Sequence, residues 1–156
     1  ISSNKNIKKL NDNLILIYTG INRTAHKIAN NYVNKLTGVK SGHIKKIISY
    51  VKEGEKILNS GRVEDFGLLL HEAWMEKKAL SKLITKPKIN EIYEQAIKYG
   101  ALGGKLLGAG GGGFLLMYME RNKRKNFFKK YKNLVNIPFN FTTSGSEIIF
   151  DKMNNK

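Results

Sequence analysis

Two rhythms of apolar and polar positions run along this chain, and the switches between them outline its elements. Leu14-Ile15-Leu16-Ile17-Tyr18 is a short continuous apolar run, which predicts a buried strand over 14–18 ended by Thr19-Gly20. Ala25, Ile28, Ala29, Tyr32, Val33 and Leu36 then recur at helical spacing. They predict a helix over 22–36, with Asn22 as its cap and Gly38 beyond its end. Ile44, Ile47, Ile48, Val51, Ile57 and Leu58 predict a second helix over 43–58, stopped near Gly61. Phe66, Leu69, Leu70, Ala73, Trp74 and Leu80 predict a third over 63–80, the longest continuous helix in the pattern. Pro87 sets a turn, and a fourth helix over 90–99 ends at Gly100. Ahead of the first strand, residues 1–13 read only as polar and lysine-rich.

After Gly100 the period shortens. Lys105-Leu106-Leu107 and the run over 114–119 read as strands, and 122–133 as a basic amphipathic helix. The runs over 139–141 and 147–150 close the chain with strand character around the turn Ser144-Gly145-Ser146. Strand, several helices, a strand pair, a helix and a final strand make an α+β domain. Its natural packing is an antiparallel sheet with helices on one face.

Composition narrows the class. The 156 residues suit one domain, and 41% hydrophobic content supplies a core. With no cysteine there are neither disulfides nor thiolate metal sites. The longest apolar runs are too short to span a bilayer, and no signal peptide opens the chain, so a cytoplasmic location is expected. Starting on Ile1 rather than Met, the sequence reads as a piece of a longer chain. A formal charge of +16 raises a nucleic-acid reading. Its rival is a lysine- and asparagine-rich composition spread throughout. The one dense cluster is Arg121, Lys123, Arg124, Lys125, Lys129, Lys130 and Lys132, and it lacks the interleaved aromatic platform of a single-strand binder.

The strongest candidate chemistry is the run Gly108-Ala109-Gly110-Gly111-Gly112-Gly113 between two apolar segments. A tight hairpin needs one or two glycines. The excess argues for close backbone approach to a ligand or to a neighbouring loop. A dinucleotide fingerprint requires a helix directly after the glycines, whereas Phe114 opens a strand-like run. A Walker A loop requires Lys and Ser or Thr after its last glycine. Asp65-Phe66-Gly67 spells the protein-kinase triplet, but it lies inside a predicted helix and ahead of the glycines, with no His-Arg-Asp partner. His71-Glu72 begins a zinc-helix motif that Met75 breaks.

The segment from Leu106 to Phe114 resembles the third, C-terminal motif of the GHMP kinases. Five neighbouring segments resemble one branch of that family, the D-glycero-D-manno-heptose 7-phosphate kinases and fucokinase-like enzymes. They are Leu70-His71-Glu72-Ala73-Trp74-Met75-Glu76-Lys77-Lys78, Pro87-Lys88-Ile89, Tyr93-Glu94, Gly100-Ala101-Leu102-Gly103-Gly104-Lys105 and Tyr18-Thr19-Gly20-Ile21-Asn22-Arg23. The resemblance implies a ferredoxin-like C-terminal domain occupying the whole chain. It also implies an N-terminal domain, not present here, that carries the nucleotide-phosphate loop and the acidic catalytic residue and holds most of the ATP and Mg²⁺. The piece alone is therefore expected to be inactive.

By the same resemblance, Gly108, Ala109, Gly110, Gly111, Gly112 and Gly113 would form the active-site floor. The helix bearing His71 would border a sugar pocket. His71 is then a candidate for a sugar hydroxyl, and Arg23, Lys77, Lys78 and Lys105 are candidates for substrate charge. Their plain alternatives are a helix-surface histidine and solvated cations, and Trp74 reads as core before sugar platform. The complete enzyme would phosphorylate a heptose 7-phosphate or related sugar. The rivals are a kinase of an unphosphorylated sugar and a non-enzymatic nucleic-acid-binding domain.

Overall fold

Strand β1 (Leu14–Tyr18) is continuously apolar because both faces of its sheet are covered. The computed structural model describes residues 3–22, 30, 40–142, 144 and 145. Within them, β1 follows helix α1 (Asn4–Asn13) and precedes α2 (Ser41–Ser60), α3 (Val63–Leu80), a 3₁₀ turn (Lys82–Ile84) and α4 (Pro87–Lys98). Strands β2 (Gly103–Leu106) and β3 (Phe114–Tyr118), helix α5 (Arg121–Lys130) and strand β4 (Val135–Ile137) complete the order. The four strands lie β2-β3-β1-β4 and every pairing is antiparallel. That is the ferredoxin-like order, reached by a β1–helices–β2 crossover, a β2–β3 hairpin and a β3–α5–β4 crossover.

The register places Ile15 and Ile17 beside Met117 and Leu115, and Leu106 beside Leu115, on one face. They join the main core with Ile89, Ile92 and Tyr93 of α4 and Phe127 of α5. The alternate residues Leu14 and Tyr118 meet Leu10 of α1 and Val63 and Leu70 of α3 in a second, smaller cluster, so the other face is not bare.

Some boundaries depart from the sequence pattern. Helix α1 was not expected, because only Ile7 and Leu10 interrupt its polar run. It is fixed by Ser3, whose hydroxyl accepts from the Asn6 amide, and by Asn6 Nδ2 donating to Leu58 O at 2.7 Å. Helix α2, at 20 residues, exceeds α3 at 18, reversing the expected ranking. Pro87 opens α4 rather than preceding it, as suits a residue with no N–H to leave unpaired. Strand β2 starts at Gly103, and α5 ends at Lys130, short of residue 133. The last described strand is Val135–Ile137, which pairs with β1, and 139–141 is not a strand. Apart from Asn22 and Asn30, the expected helix over 22–36 lies outside the described residues, as does the expected strand over 147–150. No described helix is long and apolar enough to cross a membrane.

Candidate functional site

Helix α3 and strand β2 lie against each other with almost no side chain between them. A Cβ on Gly103 would collide with the Gly67 carbonyl and come within 2.8 Å of His71 Cβ. A Cβ on Gly67 would sit 2.8 Å from Leu102 Cβ. Ten residues further along α3, Lys77 Nζ donates to Leu106 O at 2.8 Å and to Gly108 O at 2.5 Å. The spans agree: about 15 Å of helix from Gly67 to Lys77 matches about 16 Å of extended chain from Gly103 to Gly108. Helix α3 is thus a rail that delivers the β2–β3 loop.

The loop itself is held by backbone. Gly111 N donates to Ile84 O at 2.7 Å, and Gly113 N donates to Ile21 O at 3.0 Å. Gly113 O accepts from both the Thr19 amide, at 2.9 Å, and the Thr19 hydroxyl, at 2.8 Å. Gly110, with φ +106°, leaves no room for a side chain, since a Cβ would lie 2.8 Å from Ile84 Cα. A Cβ at Gly112 would collide with the Ile21 carbonyl. The excess glycine therefore serves close approach to two neighbouring segments, the 3₁₀ turn and the chain leaving β1. Gly110, Gly111 and Gly112 are buried, whereas Gly108 is exposed at the start of the loop and Ala109 is half-buried against the main core. The Gly111 and Gly113 amides are thus committed to backbone carbonyls of the 3₁₀ turn and of the chain leaving β1.

The other candidate residues are partly absorbed by the fold. His71 Nδ1 is 2.6 Å from the Tyr93 hydroxyl, and the two rings stack at 5.9 Å. Burial pushes the Tyr93 phenol up to about 12, with the Gly104 backbone opposing it. Trp74 is fully buried in the main core, and Lys78 Nζ lies 5.6 Å over its ring. The His71–Met75–Lys78 side of α3 thus turns toward α4 and the core. Lys77 meets loop carbonyls, as described above. Lys105 is half-buried and makes no hydrogen bond or ion pair among the described residues, and desolvation lowers its pKa. Arg23 lies outside the described residues.

Sequence reasoning missed the loop's anchors: Thr19, buried at 1% exposure, and the carbonyls of Ile21 and Ile84. Thr19 carries a weak signal, a polar residue directly after an apolar strand. Backbone acceptors carry none.

Comparison with known proteins bears on this arrangement. The family model for the GHMP kinases C-terminal region matches residues 55–136, from α2 through β4. The D-glycero-alpha-D-manno-heptose 7-phosphate kinase of Campylobacter jejuni is 31% identical over 137 residues, covering 84% of this chain and 40% of that protein. The bifunctional fucokinase/GDP-fucose pyrophosphorylase of Arabidopsis thaliana is 28% identical over 129 residues, covering 80% of this chain and 12% of that protein. The chain thus spans well under half the length of these relatives. The L. major mevalonate kinase structure, in complex with R-mevalonate, shares the fold with a TM-score of 0.70 at 21% identity, over 79% of this chain and 40% of that one. With the clamped glycine loop, the ferredoxin-like order and the matching family model in agreement, the chain belongs to the GHMP kinase family and represents its C-terminal region.

Proposed function

We propose that this chain is the C-terminal domain of an ATP-dependent sugar kinase whose acceptor is a heptose 7-phosphate or a related sugar. The observation that carries this reading is the buried glycine floor, clamped by Lys77, Ile84, Ile21 and Thr19. It is a rigid surface where positioning, the main demand of phosphoryl transfer, can be met. The acceptor is taken from the Campylobacter relative.

In this reading a nucleotide-binding half completes the site, and ATP supplies the phosphoryl group. Among the described residues no cluster of three His, Cys, Asp or Glu side chains is placed to hold a metal ion. In this reading the Mg²⁺ that accompanies ATP is held mostly by that other half. Gly108, exposed at the start of the loop where its carbonyl accepts from the Lys77 ammonium, is the part of the floor most open to solvent.

A second acceptor, an unphosphorylated sugar such as fucose, is favoured by the Arabidopsis relative, whose name includes fucokinase. Charge separates the two. Lys77 is engaged with carbonyls and Lys78 with Trp74, which leaves Lys105 and Arg23 as the leading phosphate contacts. The test is Lys105→Gln and Arg23→Gln in the complete enzyme. A tenfold or greater rise in KM for the sugar phosphate, with KM for ATP held, is expected. An unchanged sugar-phosphate KM in both variants would remove the phosphorylated acceptor and leave the fucose-like one.

A further inference from the structure

The basic cluster that ends the β3–α5–β4 crossover divides into two groups. Arg121 pairs with Asp12 at 2.8 Å, and Lys123 with Glu120 at 3.4 Å. Arg124 donates to Met119 O at 2.9 Å and to Asp12 O at 2.6 Å. Arg121 and Arg124 fasten α5 to α1 and to the end of β3, Lys123 pairs locally with the residue that caps its own helix, and Lys125 stands exposed on α5. Lys129, Lys130 and Lys132, at the other end, make no hydrogen bond or ion pair among the described residues.

They line, with a fourth cation that has no partner among the described residues, Lys88, a cavity of about 440 Å³ between α4 and the turn after α5. Ile92 and Leu134 belong to the same lining, and Glu91 is its single acid. Four cations against one anion, converging from two elements, leave a strong local positive field. The helix dipole explains part of this, because Lys129 and Lys130 stand in the last turn of α5 where cations are favoured. It does not explain Lys88, which stands in the first turn of α4, a turn with no acidic residue. There the dipole disfavours a cation.

We propose that this cleft binds a multiply phosphorylated small molecule, its phosphates held by Lys88, Lys129, Lys130 and Lys132. The proposal is independent of the kinase reading, although the Lys88 ammonium stands close to the floor's anchors: a Cβ on Gly20, between Thr19 and Ile21, would lie 3.4 Å from it. Size and shape select this class of ligand, since a concave site of a few hundred Å³ matches one small molecule. A single-stranded nucleic acid needs exposed aromatic faces for its bases. The one ring here, Tyr131, is half-buried, with its centroid 6.2 Å from Tyr99 and 5.3 Å from Phe127.

The test is calorimetric titration of the full 156-residue chain with inorganic tripolyphosphate at about physiological salt, in parallel with orthophosphate and a single-stranded RNA. Saturable binding of tripolyphosphate at one site is expected, with orthophosphate much weaker. The K88Q/K132Q variant should lose at least tenfold in affinity. K45Q/K52Q, an equal loss of charge on α2, should change it less than twofold. All four lysines are exposed, so far-UV circular dichroism of both variants should match the parent. Equal weakening in the two variants, undiminished affinity in K88Q/K132Q, absence of saturable binding, or tighter binding of RNA than of tripolyphosphate would each overturn the proposal.

Discussion

Replacing Lys77 by Met removes the ammonium that ties α3 to the glycine loop while keeping most of the aliphatic stem. Among the described residues, two charge-assisted hydrogen bonds are lost, to Leu106 O and Gly108 O. A hydrogen bond to a charged group contributes about 1.5–3 kcal/mol when protected from solvent. Lys77 is only half-buried and Gly108 is exposed, so water replaces part of what is lost. A local cost of about 1–2 kcal/mol is the reasonable figure, which raises the population of the opened loop by roughly 5–30-fold. Native-state amide exchange reads this directly. The Gly111 and Gly113 amides, bonded to Ile84 O and Ile21 O, should exchange faster by that factor, while the β3 amides of Leu115 and Met117 change little. Unchanged exchange at both glycines would refute the clamp. Uniform acceleration across β3 would show that Lys77 supports the whole domain rather than the loop.

Gly103→Ala should destabilise the domain by at least about 1–3 kcal/mol, because its Cβ is directed into the Gly67 carbonyl of α3; urea unfolding followed by circular dichroism measures it. Tyr93→Phe keeps the ring contacts with Trp74 and His71 but deletes the bond to His71 Nδ1. A loss of about 1 kcal/mol in the same assay is expected. Glu76 bonds His43 and Lys46, which hold its carboxyl below the ordinary glutamate value. The stability this contributes is present above the unfolded-state pKa and lost as pH falls through the lower folded-state value. The urea midpoint should therefore drop on acidification through that window, and Glu76→Gln should flatten that part of the profile.

The fold was legible wherever burial dictates the pattern. The LILIY run of β1, the α3 periodicity and the apolar run of β3 each announce themselves because both sheet faces are covered. Elements held by polar contacts were not legible. Helix α1 rests on a serine cap and an asparagine bond to a distant carbonyl, and β4 on pairing with β1. The glycine loop was recognisable by composition, and close approach to a neighbouring loop was one of its two readings. Which segments it approaches was hidden, because Ile21 and Ile84 take part through backbone carbonyls that any residue could present. Lys77 shows the same limit. A lysine on α3 reads as a substrate cation, and only the alignment of α3 with β2 reveals that it reaches Leu106 and Gly108 first.

The central claim is that this chain forms the supporting half of a phosphoryl-transfer site. It is tested most directly by ADP release coupled to sugar phosphorylation, with heptose 7-phosphate and L-fucose as acceptors. The chain is assayed alone, joined to a GHMP kinase nucleotide-binding half, and in that joined form with Gly110→Ala. The account predicts no turnover by the chain alone and sugar-dependent ADP release by the joined protein. It also predicts a large loss of kcat in the Gly110→Ala form, whose Cβ would force the floor away from Ile84. Sugar-dependent turnover by the chain alone, or a joined protein that phosphorylates neither sugar, would contradict it.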